Sequence, residues 1–131
     1  MRLLLDTHIF LWYIIGDPRI KPALRHAIED CDVAYLSVVS IWEATTKYQL
    51  GKLPPPEPPH PWLTAQRENH GIDSLPLGEA AVARLATLPM HHRDPFDRML
   101  VCQALEDDLL LVTVDSMLHQ YPAKLLGLAD S

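Results

Sequence analysis

A chain of 131 residues is long enough for one domain with a real core and too short for two comfortable ones. Its composition, 48% apolar and 21% charged, excludes disorder. A formal net charge of -6 argues against a passive nucleic-acid binder, which draws its non-specific affinity from a basic surplus, and if the chain handles nucleic acid, bound divalent metal is the candidate for offsetting part of the charge.

Leu3-Leu4-Leu5 is short and wholly apolar, and Asp6 follows at once. It reads as a buried parallel strand. The early acid also spoils a signal peptide, and no apolar run is long enough to span a bilayer. A cytoplasmic chain without a membrane anchor is expected. Asp6 suits a helix N-cap, and an acid at the carboxyl end of a buried strand also lies where open α/β sheets place their ligands. An aromatic-rich helix is expected from His8 to Ile15, stopped by Gly16-Asp17-Pro18, and a second from Lys21 to Asp30. Cys31 and Cys102 are the two cysteines and belong to no zinc-spaced cluster, so they read as reduced thiols.

Val33 to Ser37 is the next strand, and a helix follows to about Leu50, where Gly51 ends it. Glu43 stands one turn past Ser40, so the two fit a capping box. Its apolar neighbours Ile41 and Trp42, and the buried strand just before, place Glu43 near the same sheet edge as Asp6. Six prolines between Leu53 and Trp62 read as a stiff, extended connector. Helices are expected from Trp62 to Asn69 and from Glu79 to Leu88, with a short strand at Ile72 to Leu77 between them.

His91-His92-Arg93-Asp94-Pro95-Phe96-Asp97-Arg98 turns a loop into a helix reaching about Asp107. Pro95 suits the first helical position, Asp94 the N-cap and Asp97 the third position. Leu109 to Val114 is a uniformly apolar strand that ends in Asp115, repeating the Leu5-Asp6 pattern. Ser116 to Gln120 reads as a short turn or helix, and a last edge strand is expected within Lys124 to Ala129. Strands alternating with helices imply a parallel sheet with helices on both faces. Asp6, Glu43, Asp97 and Asp115 then fall at one edge, with Asp94 one turn from Asp97. Each acid alone has a plain role as a cap. Gathered together they repel, and convergent oxygen ligands without thiols are what Mg²⁺ or Mn²⁺ requires. Most of the seven histidines read as surface or loop residues, with His92 and Arg93 as candidate phosphate contacts.

Leu4-Leu5-Asp6-Thr7-His8, Ser37-Val38-Val39-Ser40-Ile41-Trp42-Glu43, Leu50-Gly51-Lys52-Leu53, His92-Arg93-Asp94-Pro95-Phe96-Asp97-Arg98 and Leu111-Val112-Thr113-Val114-Asp115 stand in this order along almost the whole chain. Together they resemble a PIN-domain protein of the VapC toxin type. The resemblance implies a single PIN domain over residues 1–131, with a parallel sheet in the order 3-2-1-4-5. It implies a Mg²⁺- or Mn²⁺-dependent endoribonuclease, a second copy of the chain as partner, and an antitoxin whose tail blocks the acidic pocket. Asp6, Glu43, Asp97 and Asp115 match the family's four acids. Asp94 is an extra acid that many relatives with this motif carry, and Thr113 matches the small hydroxyl residue before the last acid.

The expected chemistry is hydrolysis of an RNA phosphodiester by metal-activated water, leaving 5′-phosphate and 3′-hydroxyl ends. Asp6 and Asp97 would hold the ion most directly, with Glu43 and Asp115 acting through water or at a second, weaker site. Arg93, Arg98 and Lys47 are candidates for holding the RNA backbone. Ile9, Phe10, Trp12 and Tyr13 are either a dimer face or core. An inactive PIN-like module that binds RNA or protein is the alternative, although every acid of the pattern is present. A receiver domain fits less well, because its last strand should lead to a lysine where this chain has Asp115.

Overall fold

The computed structural model describes residues 1–52 and 59–127. Strands β1 (Arg2–Leu5), β2 (Val33–Ser37), β3 (Asp73–Leu75), β4 (Leu110–Val112) and β5 (Leu125–Leu126) form one sheet in the order β3-β2-β1-β4-β5, with every pairing parallel. Helices α1 (Thr7–Ile15), α2 (Pro22–Asp30), α3 (Val38–Gln49), α4 (Pro59–Asn69), α5 (Glu79–Ala83) and α6 (Pro95–Asp107) make the connections, with 3₁₀ turns at Arg84–Ala86 and Ser116–Gln120.

The apolar run of β1 explains why it lies in the centre. Leu3, Leu4 and Leu5 are fully buried, because alternate side chains point to opposite faces and both faces are covered. Leu4 and Leu111 pack with Leu100, Val101 and Leu118 on the α6 side. Leu3, Leu5 and Val112 pack with Ile9, Phe10, Leu24 and Leu63 on the other. Each buried leucine contributes about 2 kcal/mol. Among the described residues, no helix is long and apolar enough to cross a membrane.

Register fixes what emerges at the sheet edge. Leu5 pairs with Leu36 on one side and with Val112 on the other. The chain therefore leaves three adjacent strands at one level, through Asp6, Ser37 and Thr113. The Asp6 N–H still bonds to the Val112 carbonyl at 3.0 Å, and the Thr113 N–H to the Leu126 carbonyl at 3.0 Å.

Several boundaries differ from those expected. The strand at Ile72 to Leu77 is confined to Asp73–Leu75, since Pro76 has no N–H to offer a neighbour. Pairing in β4 begins at Leu110 and ends at Val112 rather than reaching Val114. The α5 helix stops at Ala83 and tightens into a 3₁₀ turn instead of running to Leu88. Of the proline-rich connector, residues 53–58 lie outside the described residues, while Pro59 to Trp62 belong to α4, broken locally at the extended backbone of His60. The last edge strand is Leu125–Leu126, and residues 128–129 of the expected span lie outside the described residues.

Gly127 closes the sheet directly behind the acidic edge. Its φ is +109°, and an added Cβ would stand 2.8 Å from the Thr113 carbonyl oxygen. Backbone strain and backbone overlap act together there. Gly127→Ala is expected to destabilise the protein by about 2–3 kcal/mol, read as a fall in the urea midpoint at constant slope. An unchanged midpoint would show that Thr113 can shift freely.

Candidate active site

Asp6 is the N-cap of α1, its Oδ1 accepting the Ile9 N–H at 2.8 Å. Burial raises its pKa, partly countered by the Thr113 side chain and the Ile9 N–H, while the nearby Glu43 charge adds to the rise. Thr7, the next residue, turns its hydroxyl across to α3. It lies 2.9 Å from Ser40 Oγ and donates to Glu43 Oε1 at 2.6 Å.

Glu43 is 2% exposed, so it is no surface capping residue. The capping box with Ser40 does not form, because α3 starts one turn earlier: Ser37 is the cap, accepting the Val39 N–H at 2.9 Å. Ser40 is buried inside the helix. The second Glu43 oxygen pairs with Lys47 Nζ at 2.5 Å, one turn along. Burial works against the Lys47 charge, but Glu43, with Asp94 and Asp97 nearby, outweighs it and raises the lysine pKa. Lys47→Met would leave Glu43 buried without its counter-charge. A loss of about 1–3 kcal/mol is expected, measured by urea unfolding near neutral pH; equal stability would mean that the Lys47–Glu43 pair adds nothing net to the fold.

Asp94 caps α6, accepting the Phe96 N–H at 2.8 Å and the Asp97 N–H at 3.4 Å. Pro95 takes the first helical position, which puts Asp97 third, half-buried and facing the other acids. Burial, followed by the charges of Asp94, Glu43 and Asp6, pushes the Asp97 carboxyl up to about 7, with His92 pulling the other way. The fourth strand-end acid, Asp115, caps the turn at Ser116–Gln120 and accepts the Met117 N–H at 3.0 Å. The Thr113 hydroxyl accepts the Asp115 N–H at 3.0 Å, tying the last acid to the first through one side chain.

His92 lies between Asp97 and Asp115. Its Nε2 is 2.8 Å from Asp115 Oδ2 and 3.4 Å from Asp97 Oδ2. One ligand atom from each of these three residues falls within a 4.8 Å span. This bridging place was not foreseen for His92, since a loop histidine next to another gives no sign of which one turns inward. The hydroxyls of Thr7 and Ser40 were missed as well. Their signal was there: Thr7 directly follows Asp6, and Ser40 precedes Glu43 by one turn.

The basic candidates are placed differently from one another. Arg93 is exposed in the loop before α6. Lys47 is engaged with Glu43. Arg98 turns to the loop before α6, where Nη2 donates to the Leu88 carbonyl at 3.2 Å and its charge bears on Cys102. A cleft of about 430 Å³ lined by Arg2, Pro76, Gln103 and Asp107 lies apart from these residues, and none of the four strand-edge acids lines it.

The sheet order has a counterpart among known proteins. The chain belongs to the PIN domain family, which it matches over residues 3–124. Within that family its likeness is to VapC-type members. It is 27% identical over 122 residues to Ribonuclease VapC22 of Mycobacterium tuberculosis, covering 91% of this chain and 92% of that one. Its fold is similar to VapBC2 from Rickettsia felis, solved bound to a DNA fragment from their promoter, with a TM-score of 0.72, 15% identity and coverage of 96% and 98%. It is also similar to a toxin-antitoxin complex from Klebsiella pneumoniae, with a TM-score of 0.58, 14% identity and 87% of each chain covered.

Proposed function

We propose that this chain is a single-domain, cytoplasmic, metal-dependent endoribonuclease that serves as the toxin of a toxin–antitoxin pair. The observation that carries the reading is Asp97. Its carboxyl is pushed up to about 7 by burial and by three other acids, a repulsion that a purely structural cluster has no reason to keep. Hard carboxylate oxygens without thiols suit Mg²⁺ or Mn²⁺. The residues present fit such an ion: Asp97 and Asp115 offer oxygens close enough to share it, and Asp6 and Glu43 stand near enough for their charges to act on Asp97. Asp6, Asp97 and Asp115 would be its ligands, with Glu43, and less directly Asp94, acting through water. A bound ion would lower the pKa of a coordinated water and neutralise charge building on the phosphate.

The rest falls to the chain's own residues. Thr7 and Lys47 fix the orientation of Glu43, and Thr113 aligns Asp6 with Asp115. Arg93, exposed in the loop before α6, would hold the RNA backbone, and Lys47 would partly offset the acids that otherwise repel it. Arg98 supports the Leu88 loop from behind, so any hold it has on RNA is through that loop. A negative basin of this kind also suits the basic tail of an antitoxin.

A homodimer is part of the same proposal. The α1 helix is apolar almost all round, yet Ile9 and Phe10 are spent in the core, which leaves Trp12 and Tyr13 half-buried and Ile15 64% exposed. Light scattering on Ile15→Glu beside the unaltered chain tests that face, a monomer for the variant being expected.

The deciding experiment is incubation of purified chain with RNA and Mn²⁺ beside its Asp6→Asn variant, with the ends of the products mapped. Cleavage by the first alone, with 5′-phosphate and 3′-hydroxyl ends, is expected. Equal cleavage by the variant, or 2′,3′-cyclic ends, would overturn the mechanism; binding without cleavage would return the inactive-module reading.

A further inference from the structure

His92 is 14% exposed at its side chain, and its polar atoms are engaged on every side. Its backbone N–H donates to Tyr121 Oη at 2.9 Å. Its Nδ1 accepts the backbone N–H of Asp94 at 3.0 Å. A backbone N–H is only ever a donor, so Nδ1 must present a lone pair there, and the ring proton sits on Nε2. Nε2–H then donates to Asp115 Oδ2 at 2.8 Å, beside Asp97 Oδ2. The ring atom that faces the acids is thus an N–H, with no lone pair to give a cation. For Nε2 to become a ligand, the proton would have to move to Nδ1, where it would meet the Asp94 N–H head on.

We propose that His92 is a positioning residue: the Asp94 backbone N–H locks its ring in the Nε2–H tautomer, so that it holds Asp115 beside Asp97 and does not itself ligate the ion. Spacing explains why the two residues stand as His-x-Asp. Two residues of loop bring the Asp94 N–H back onto the preceding ring, while the Asp94 carboxylate is occupied in capping α6. Removal of the clamp frees Asp115 at the end of a short turn, where little else fixes its side chain besides the Met117 N–H. The ion-ligand part of the inference rests on the proposed metal-dependent function, whereas the tautomer does not.

Long-range ¹H–¹⁵N correlation spectra of the histidine-labelled chain read the tautomer directly, first without metal and then with saturating Mg²⁺. The Nε2–H form is expected in both, and an Nδ1–H ring in either would overturn the proposal. Calorimetric titration with Mn²⁺ supplies the second arm. His92→Leu is expected to weaken binding about 10-fold or more, as loss of an orienting partner does, whereas His92→Gln, whose amide can still donate to Asp115, should stay within about 3-fold of the unaltered chain. Leu binding as tightly as histidine, or Gln as weak as Leu, would overturn the positioning role. A native chain that binds no Mn²⁺ refutes the proposed function and the ion-ligand part with it, while the spectrum still decides the tautomer. Circular dichroism of the Leu variant checks folding, and the Gln variant and the spectra stand without it.

Discussion

Asp97→Asn is expected to abolish RNA cleavage and, without divalent ion, to make the protein more stable than the unaltered chain at neutral and alkaline pH. Its carboxyl titrates at about 7 in the fold against an ordinary 3.8, because burial and the charges of Asp94, Glu43 and Asp6 oppose ionisation. A raised acid pKa means that the folded state binds more protons than the unfolded one between these two values. Stability therefore falls as pH rises from about 4 to about 7, and stays low above that. Asparagine has the same shape and no charge, so it removes this penalty. Its size is on the order of 2–4 kcal/mol above about pH 7, after allowance for the partly exposed side chain. A rise in Tm of about 7–15 °C at about pH 8 should follow, shrinking toward zero near pH 4. Activity should fall at least about 100-fold, as expected when a ligand of the ion that would neutralise charge on the phosphate is lost. Thermal melts at a series of pH values in EDTA check the first part and RNA gels the second. A variant less stable than the native chain at every pH would mean that the Asp97 carboxylate is not held under repulsion.

Much of the fold was legible because its central strands are written in the plainest code a sequence has. Leu3-Leu4-Leu5 and Leu109 to Leu111 have no polar position to offer solvent, so both runs read as interior strands, with Leu110 alone left partly exposed, and each is followed within a few residues by an acid. The start of α6 was legible for a local reason too: Asp94-Pro95 fixes cap and first turn within three residues. Where the signal was local but shared, it misled. Ser37 and Ser40 both suit a cap before Glu43, and only the end of pairing in β2 shows that Ser37 takes the role, freeing Ser40 to meet Thr7. What could not be read was the wiring between distant segments. The bond from Thr7 to Glu43 spans 36 residues and that from His92 to Asp115 spans 23. Periodicity says which face a residue takes, but not which hydroxyl or ring nitrogen lies opposite. The electrostatics had the same limit. Asp97 and Asp94 are neighbours in sequence, yet burial is the largest cause of the Asp97 rise, and burial comes from how α3 closes over the start of α6.

Divalent ion is expected to cancel the pH trend that Asp97 sets, and its removal to stop the reaction. The ion and the proton compete for the same carboxylate, so binding must expel a proton wherever Asp97 is still protonated. Below about pH 7 the apparent affinity should then weaken by up to tenfold per pH unit, while above it the affinity should level off. At an ion concentration about 100 times Kd the folded state gains about 2.7 kcal/mol, which in a chain of this size is a rise in Tm of roughly 10 °C. That rise should be full at about pH 8 and largely lost at about pH 5.5 for the same added Mn²⁺, since the proton then outcompetes the ion for Asp97. Excess EDTA should bring cleavage down to that of Asp6→Asn. Calorimetry in two buffers of different ionisation enthalpy counts the proton released, with close to one expected per ion at about pH 6 and close to none at about pH 8.5. Asp97→Asn should remove the pH dependence along with most of the affinity. Binding that releases no proton at the lower pH, with affinity flat across the range, would place the ion away from Asp97 and leave the raised carboxyl without a role in holding it.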